Sequence, residues 1–163
     1  MAVNIKFAKV RPSAVIPSKR DEDMGYDIYA CFEEDYIVIN PHETKLIPTG
    51  IASACDPGYG FLLFERGSTG SKGIARRCGV IDSGYRNEWF VGLTNTTNKV
   101  MFISKLSEQE TYRSYYNEIM PESFVYPYSK AIVQAIVTPV LETSEQELSY
   151  EDLKAIPSER GMG

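Results

Sequence analysis

KLIPTGIASACDPGYGFLLFE, residues 45 to 65, holds two apolar or alternating runs, Lys45 to Ala54 and Gly60 to Glu65, parted by Asp56-Pro57-Gly58. Neither sustains a 3.6-residue period, and the Pro and Gly between them mark a turn, so both read as strands. The same signature extends in both directions: Asn4 to Val10, Tyr26 to Cys31, Tyr36 to Ile39, Trp89 to Asn95 and Lys99 to Ile103 are short runs of this kind. Pro12, Pro17, Pro41 and Pro57 lie between runs or at their ends, where a missing backbone donor is tolerated, and Pro48 lies within the run from Lys45. About 8 to 12 strands in one domain predicts an all-β sandwich, barrel or jelly roll. One segment departs from the pattern. SEQETYRSYYNEI, residues 107 to 119, suits a short helix capped by Ser107 and closed by Pro121, or a structured insertion. KAIVQAIVTPVL, residues 130 to 141, reads as a strand buried on both faces, in which Gln134 is costly unless it finds partners. Beyond Glu142 the chain turns acidic and polar, with a helical turn expected at Ser149 to Ala155.

At 163 residues the chain has the size of one domain, and with 43% hydrophobic and 24% charged residues it has the composition of an ordinary globular protein. No apolar run approaches the ~18 residues of a membrane span. Seventeen Lys and Arg against 22 Asp and Glu give a net charge of −5, which argues against a broad cationic surface for nucleic acid. Cys31, Cys55 and Cys78 are odd in number and widely spaced, so they predict neither a disulfide framework nor a cysteine metal site. The first residues lack the apolar core of a secretory signal, and the expectation is a cytoplasmic protein.

ERGSTGSKGIARRCGVIDSGYRNE, Glu65 to Glu88, concentrates the unusual chemistry. Arg66 to Gly73 offers hydroxyls, flexible backbone donors and two cations, which together can wrap a polyphosphate. It lacks the GxxxxGK[ST] spacing of a P-loop, and a solvated turn has the same composition. Gly79 to Arg86 reads as a β-hairpin with Asp82 and Tyr85 near its tip, sixteen residues past Arg66 in the case of Asp82. A carboxylate there is either a turn former or a water-activating base. Asp27, alternating with apolar neighbours, is either an edge residue or a buried carboxylate in need of a partner. His42, the only histidine, has no neighbouring ligand and reads as a surface residue.

In order, GYDIYA (from Gly25), LIPTGI (from Leu46), RGSTGSKGI (from Arg66), GVIDSGYRNEWFVGLTN (from Gly79), KAIVQAI (from Lys130) and Arg160-Gly161-Met162-Gly163 follow one another. This series resembles the trimeric dUTP pyrophosphatase (dUTPase) family, in a phage or bacterial member, from about residue 5 to the end. The resemblance implies a distorted jelly-roll β-barrel of the β-clip type and a homotrimer with active sites at its subunit interfaces. The implied reaction is Mg²⁺-assisted hydrolysis of dUTP to dUMP and diphosphate, by in-line attack of water on the α-phosphorus, which keeps uracil out of DNA. In that scheme Asp82 orients or deprotonates the water. Tyr85 packs on the deoxyribose and excludes a 2′-hydroxyl, and the backbone of Gly79, Val80 and Ile81 reads the uracil edge. Arg66, Gly67 and Ser68 cradle phosphate, Gln134 reaches phosphate or water, and Asp27 acts on Mg²⁺ through water. Arg160 belongs to a C-terminal arm, from about residue 142, that closes over the site of another subunit. The expected compartment is the cytoplasm of a bacterium or a phage-infected host.

Four departures from the family pattern stand out. The phosphate motif, usually Arg-Ser-(Gly or Ser), is Arg66-Gly67-Ser68. Ala131 replaces an Arg, which leaves Asp27 without its expected ion pair. Residues 104 to 127 exceed the usual connection, and the fifth motif stops at Gly163, before the aromatic residue that would cap the uracil. The nearest rival is a dCTP deaminase-type enzyme, which shares the fold but places a Glu base in a strand of the form LELSN. Here that strand is Val91-Gly92-Leu93-Thr94-Asn95. A different class of reading is a regulatory role in which the tyrosines and phenylalanine of residues 104 to 127 anchor a protein partner. Against it stands the expectation that these rings cover the fold's own core or the trimer interface.

Overall fold

The computed structural model describes residues 2–160, and among them twelve strands and three short helices. β2 (Tyr26–Ile28), β12 (Val133–Pro139), β6 (Tyr59–Glu65) and β8 (Val80–Ile81) lie side by side in that order. A second sheet joins β4 (Thr44–Pro48), β9 (Phe90–Asn95) and β7 (Ile74–Arg77), and a third joins β11 (Ser123–Pro127), β10 (Val100–Ser104) and β3 (Tyr36–Ile39). β1 (Ile5–Lys9) and β5 (Ile51–Cys55) pair antiparallel as a ribbon. Most sheet neighbours are remote in sequence and the four small sheets do not close into one barrel, so this is a jelly roll of the distorted kind. Its core gathers Ile28, Ile39, Ile47, Phe61, Leu63 and Trp89, all at 1% exposure or less. The Trp89 ring meets Phe61 at 5.0 Å and Phe7 at 6.0 Å, edge to face, and its indole N–H is satisfied by Ser53 Oγ at 3.0 Å.

Several sequence expectations need correction. The run from Lys45 to Ala54 is two strands in two sheets. Gly50 breaks it at φ +71°, where a Cβ would lie 2.8 Å from the Ala14 side chain. Gly79 to Arg86 is not a hairpin: β8 pairs with β6 while β9 pairs with β4 and β7, so the turn after Ile81 carries the chain from one sheet to another. β7 (IARR) and β11 (SFVYP) lack the apolar alternation that marks a strand and were not expected as such. β12 is shorter than residues 130 to 141, and only its start is fully buried, because β2 flanks it at Val133 to Ala135 and no further.

The helices follow their local signals. α1 (Gly67–Gly70) is a single turn. α2 (Glu108–Tyr115) opens on Ser107, whose hydroxyl accepts from the Glu110 N–H at 3.2 Å, with Glu108 and Glu110 in its first turn and Arg113 in its last. It links β10 to β11, which run parallel. α3 (Tyr150–Lys154) is capped the same way by Ser149, and every residue from 139 to 160 is exposed. Among the described residues no helix is long and apolar enough to cross a membrane.

Candidate active site

At the end of β6 the chain turns into α1, and the buried Thr69 fixes that turn. Its hydroxyl accepts from the Arg66 N–H and donates to the Arg66 carbonyl, both at 3.1 Å. The Arg66 side chain is thereby aimed across the sheet end, where Nε pairs with Asp27 Oδ1 at 3.3 Å and Nη1 donates to the Ala131 carbonyl at 3.2 Å. Asp27 therefore has a cation despite Ala131, supplied from the phosphate motif. Asp27 lies opposite Gln134 in the β2–β12 register, and Gln134 Nε2 donates to the Glu65 carbonyl at 3.0 Å, which satisfies the polar side chain expected to be costly. Gly25 makes room for it, since a Cβ there would lie 2.8 Å from Gln134 Oε1. Asp27, Arg66 and Gln134 share an open cleft of about 660 Å³ with the loop from Ser18 to Met24. Burial works against the charge on Glu65, yet its own N–H, the Arg76 N–H and the Arg76 and Arg77 charges outweigh it and hold the carboxyl below its ordinary range. The Ser68 hydroxyl does not face this cleft. It sits 3.2 Å from the hydroxyl of Tyr126, on β11. Gly67 is exposed, and the first-turn N–H groups of Gly67 and Ser68 have no intrahelical acceptor.

A second cleft, of about 320 Å³, is lined by Asp82 and Tyr85 with Val80, Ile81, Leu46, Cys78 and Phe90. β8 is the last strand of its sheet, and the Gly79 carbonyl is spent on the Leu63 N–H at 2.7 Å. Strand alternation turns Ile81 the same way, which leaves the Val80 N–H and C=O directed off the sheet edge. Gly79 itself is covered by the Arg76 side chain, against which a Cβ would sit at 2.6 Å. The loop that carries Asp82 and Tyr85 is anchored twice. Arg86 Nη1 donates to the carbonyls of Ser83 at 2.6 Å and Ser53 at 3.3 Å. Glu88 accepts from Arg11 Nε at 3.0 Å and from the Gly50 N–H at 3.1 Å. The Tyr85 hydroxyl donates to the Glu88 carbonyl at 3.2 Å, which fixes the ring at the cleft wall.

Within one chain the two groups stay apart. The clefts share no lining residue. Asp82 stands level with Gly60 and Arg66 lies six residues further along β6, a separation of roughly 20 Å at strand rise. Arg160 lines neither cleft, and Gly161, Met162 and Gly163 lie outside the described residues. Sequence reasoning missed Tyr126, Thr69, Arg11 and Glu88. Each acts through contacts with distant or backbone atoms, and of the four only Thr69 and Glu88 lie inside the quoted motifs. Gly92, where the deaminase-type base would stand, has no room for a side chain: a Cβ would lie 2.9 Å from Arg77 Cβ and 3.1 Å from its carbonyl oxygen. Among the described residues no three His, Cys, Asp or Glu side chains gather into a metal cluster.

A family model for dUTPase matches residues 11–107. A deoxyuridine 5′-triphosphate nucleotidohydrolase of Neisseria meningitidis is 34% identical over 102 residues, covering 60% of this chain and 67% of the relative. One from Nautilia profundicola is 29% identical over 169 residues, covering 99% of this chain and 95% of the relative. Among solved structures, the dUTPase of Staphylococcus bacteriophage 80alpha with dUPNHPP superimposes with a TM-score of 0.74 at 20% identity, covering 98% of this chain and 95% of its own. The dUTPase of phage phi11 of S. aureus, with a species-specific insert, gives a TM-score of 0.70 at 19% identity, covering 90% and 96%. The match over more than half the chain, with the site motifs in family order, shows that this chain belongs to the dUTPase family.

Proposed function

We propose that the protein hydrolyses dUTP to dUMP and diphosphate at sites completed by neighbouring copies of the chain. The observation that carries this reading is the Asp82 cleft: a carboxylate, a fixed aromatic ring and an outward-facing strand backbone converge on a space suited to one nucleoside. The Val80 N–H and C=O match the polar edge of uracil, while Leu46 and Phe90 crowd a 5-methyl group. Tyr85 stands against the sugar and leaves no room for a 2′-hydroxyl. Asp82 takes the proton of the attacking water or holds it in line with the α-phosphorus. Diphosphate leaves as the new P–O bond forms.

The phosphate half is Arg66 with the Gly67 and Ser68 N–H groups, and Gln134 beside them. Mg²⁺ fits this site as a companion of the substrate: one Asp27 oxygen is held by Arg66, and the half-exposed carboxylate can meet the waters that Mg²⁺ usually keeps. When bound, the ion neutralises charge on the triphosphate oxygens. The ~20 Å between the two halves exceeds one nucleotide's reach from sugar to α-phosphate, which supports a homotrimer in which Asp82 and Arg66 of one site come from different protomers. The exposed segment from residue 139, with Leu141, Leu148, Tyr150, Leu153 and Ile156 uncovered, suits an arm that brings Arg160 to another copy.

The test is diphosphate release from dUTP, UTP and the four common dNTPs, with Mg²⁺ and with EDTA. Turnover of dUTP alone, lost with EDTA and reduced about 10²- to 10⁴-fold in Asp82→Asn while dUTP still binds, is expected. An active Asp82→Asn, or ammonia released from dCTP, would sink the assignment, and equal rates on dUTP and UTP would remove the role given to Tyr85.

A further inference from the structure

One side chain of residues 104 to 127, Tyr126, reaches the phosphate loop at Ser68. Tyr126 is fully buried, and its hydroxyl donates to the Ala131 carbonyl at 2.5 Å. With that proton committed, the 3.2 Å contact to Ser68 Oγ has the serine donating and the phenol oxygen accepting. Arg66 Nη1 donates to the same Ala131 carbonyl, so Tyr126 meets Ser68 directly and Arg66 through a shared acceptor. The ammonium groups of Lys72 and Lys130 also lie over the ring, 5.8 and 5.6 Å from its centroid. β11 itself is fixed by its parallel register with β10, in which Tyr126 lies opposite Ile103.

We propose that Tyr126 is a positioning residue for phosphate binding and acts through Ser68, an inference that rests on the dUTPase reading above. The Ser68 hydroxyl proton is spent inward on Tyr126, so this side chain has one orientation and the first-turn N–H groups of α1 are presented to phosphate in one geometry. The extra chain segment thus supplies a support for a motif that has lost the usual serine at position 67. Without the phenol oxygen, Ser68 turns freely and the loop meets phosphate less well.

Tyr126→Phe keeps the ring and removes the oxygen. KM for dUTP is expected to rise about fivefold to tenfold, as for one lost orienting hydrogen bond, with kcat within twofold. Affinity for deoxyuridine, which carries no phosphate, stays unchanged. A general loosening of the fold would weaken both ligands and add to any other defect. Ser68→Ala is expected to give the same rise in KM, and the double variant to be no worse than Ser68→Ala alone. An unchanged KM in either single variant overturns the proposal, as does an equal loss of deoxyuridine affinity or a full further loss in the double variant. Should Tyr126→Phe fail to fold, Ser68→Ala with wild-type KM still overturns it. Wild-type protein that releases no diphosphate from dUTP defeats the dUTPase reading and this inference with it, whereas active wild type with an unchanged Tyr126→Phe defeats this inference alone.

Discussion

Gly67 stands where the family usually carries a serine, and its surroundings are open: a Cβ built there meets nothing within 4 Å. Its neighbour Ser68 does not replace the missing hydroxyl, because that group is turned inward to Tyr126. The proposed cradle therefore offers phosphate the Arg66 guanidinium, backbone donors and Gln134, and no hydroxyl from the loop. Gly67→Ser adds an outward hydroxyl without displacing any atom, and one new hydrogen bond to a phosphate oxygen is worth about 1 kcal/mol. The variant is expected to fold as the wild type does and to lower KM for dUTP about threefold to fivefold, measured by diphosphate release. A raised KM or a lowered melting temperature would show that position 67 needs glycine for its backbone. Arg66 illustrates the opposite case. The sequence named it for phosphate, and the structure adds its second task of neutralising Asp27, which no pattern in the chain announces because the two residues are thirty-nine positions apart.

Among the elements, α2 and β11 show how the segment from residue 104 to 127 is built into the fold. Tyr112, Tyr115 and Tyr116 stack edge-on against Phe102 at 5.2 to 5.9 Å, while Phe124 and Tyr128 pack on the core and Tyr126 is buried. These rings cover the protein's own strands. One of them does so imperfectly: the Tyr112 hydroxyl is buried without a hydrogen-bond partner among the described residues. Burial first, and then the nearby Glu108 carboxylate, push its phenol from 10.0 up to about 12. The unfolded chain gives up this proton near pH 10 and the folded chain keeps it to about pH 12, so the folded state holds more protons in between. Its contribution is complete below pH 10 and is lost as pH rises toward 12. Tyr112→Phe is expected to flatten that alkaline loss in denaturant titrations and, by removing an orphaned hydroxyl, to raise stability at neutral pH by about 1 kcal/mol. A steeper alkaline loss in the variant would refute the account. The helix was legible because Ser107, the first-turn acids and Arg113 are local signals. β11 and β7 were not, since Ser123 to Pro127 and Ile74 to Arg77 become strands only through long-range partners. Between Lys45 and Ala54 the marks of a break are Pro48 and Gly50, and the structure shows why the chain divides there: Gly50 packs against Ala14.

For the whole molecule, strand content and motif order were readable from the chain, whereas the distance between the halves of the site was not. It depends on β6 pairing with β8 at one end and with β12 along its full length, a long-range arrangement that no local spacing encodes. That geometry leaves the chain with an Asp82 cleft and, roughly 20 Å off along the strand, Arg66. If each working site takes Asp82 from one protomer and Arg66 from the next, two inactive variants can repair one another. Asp82→Asn and Arg66→Ala should each be nearly inactive alone. In trimers formed by co-expressing equal amounts of both, a site draws its intact Asp82 from one variant and its intact Arg66 from the other in about a quarter of cases, set by chance assortment round a three-fold ring. Diphosphate release from dUTP by the whole population of trimers so formed is therefore expected at about a quarter of the wild-type rate. A site contained in one protomer would always carry one lesion or the other, and the mixture would then be no more active than its parents.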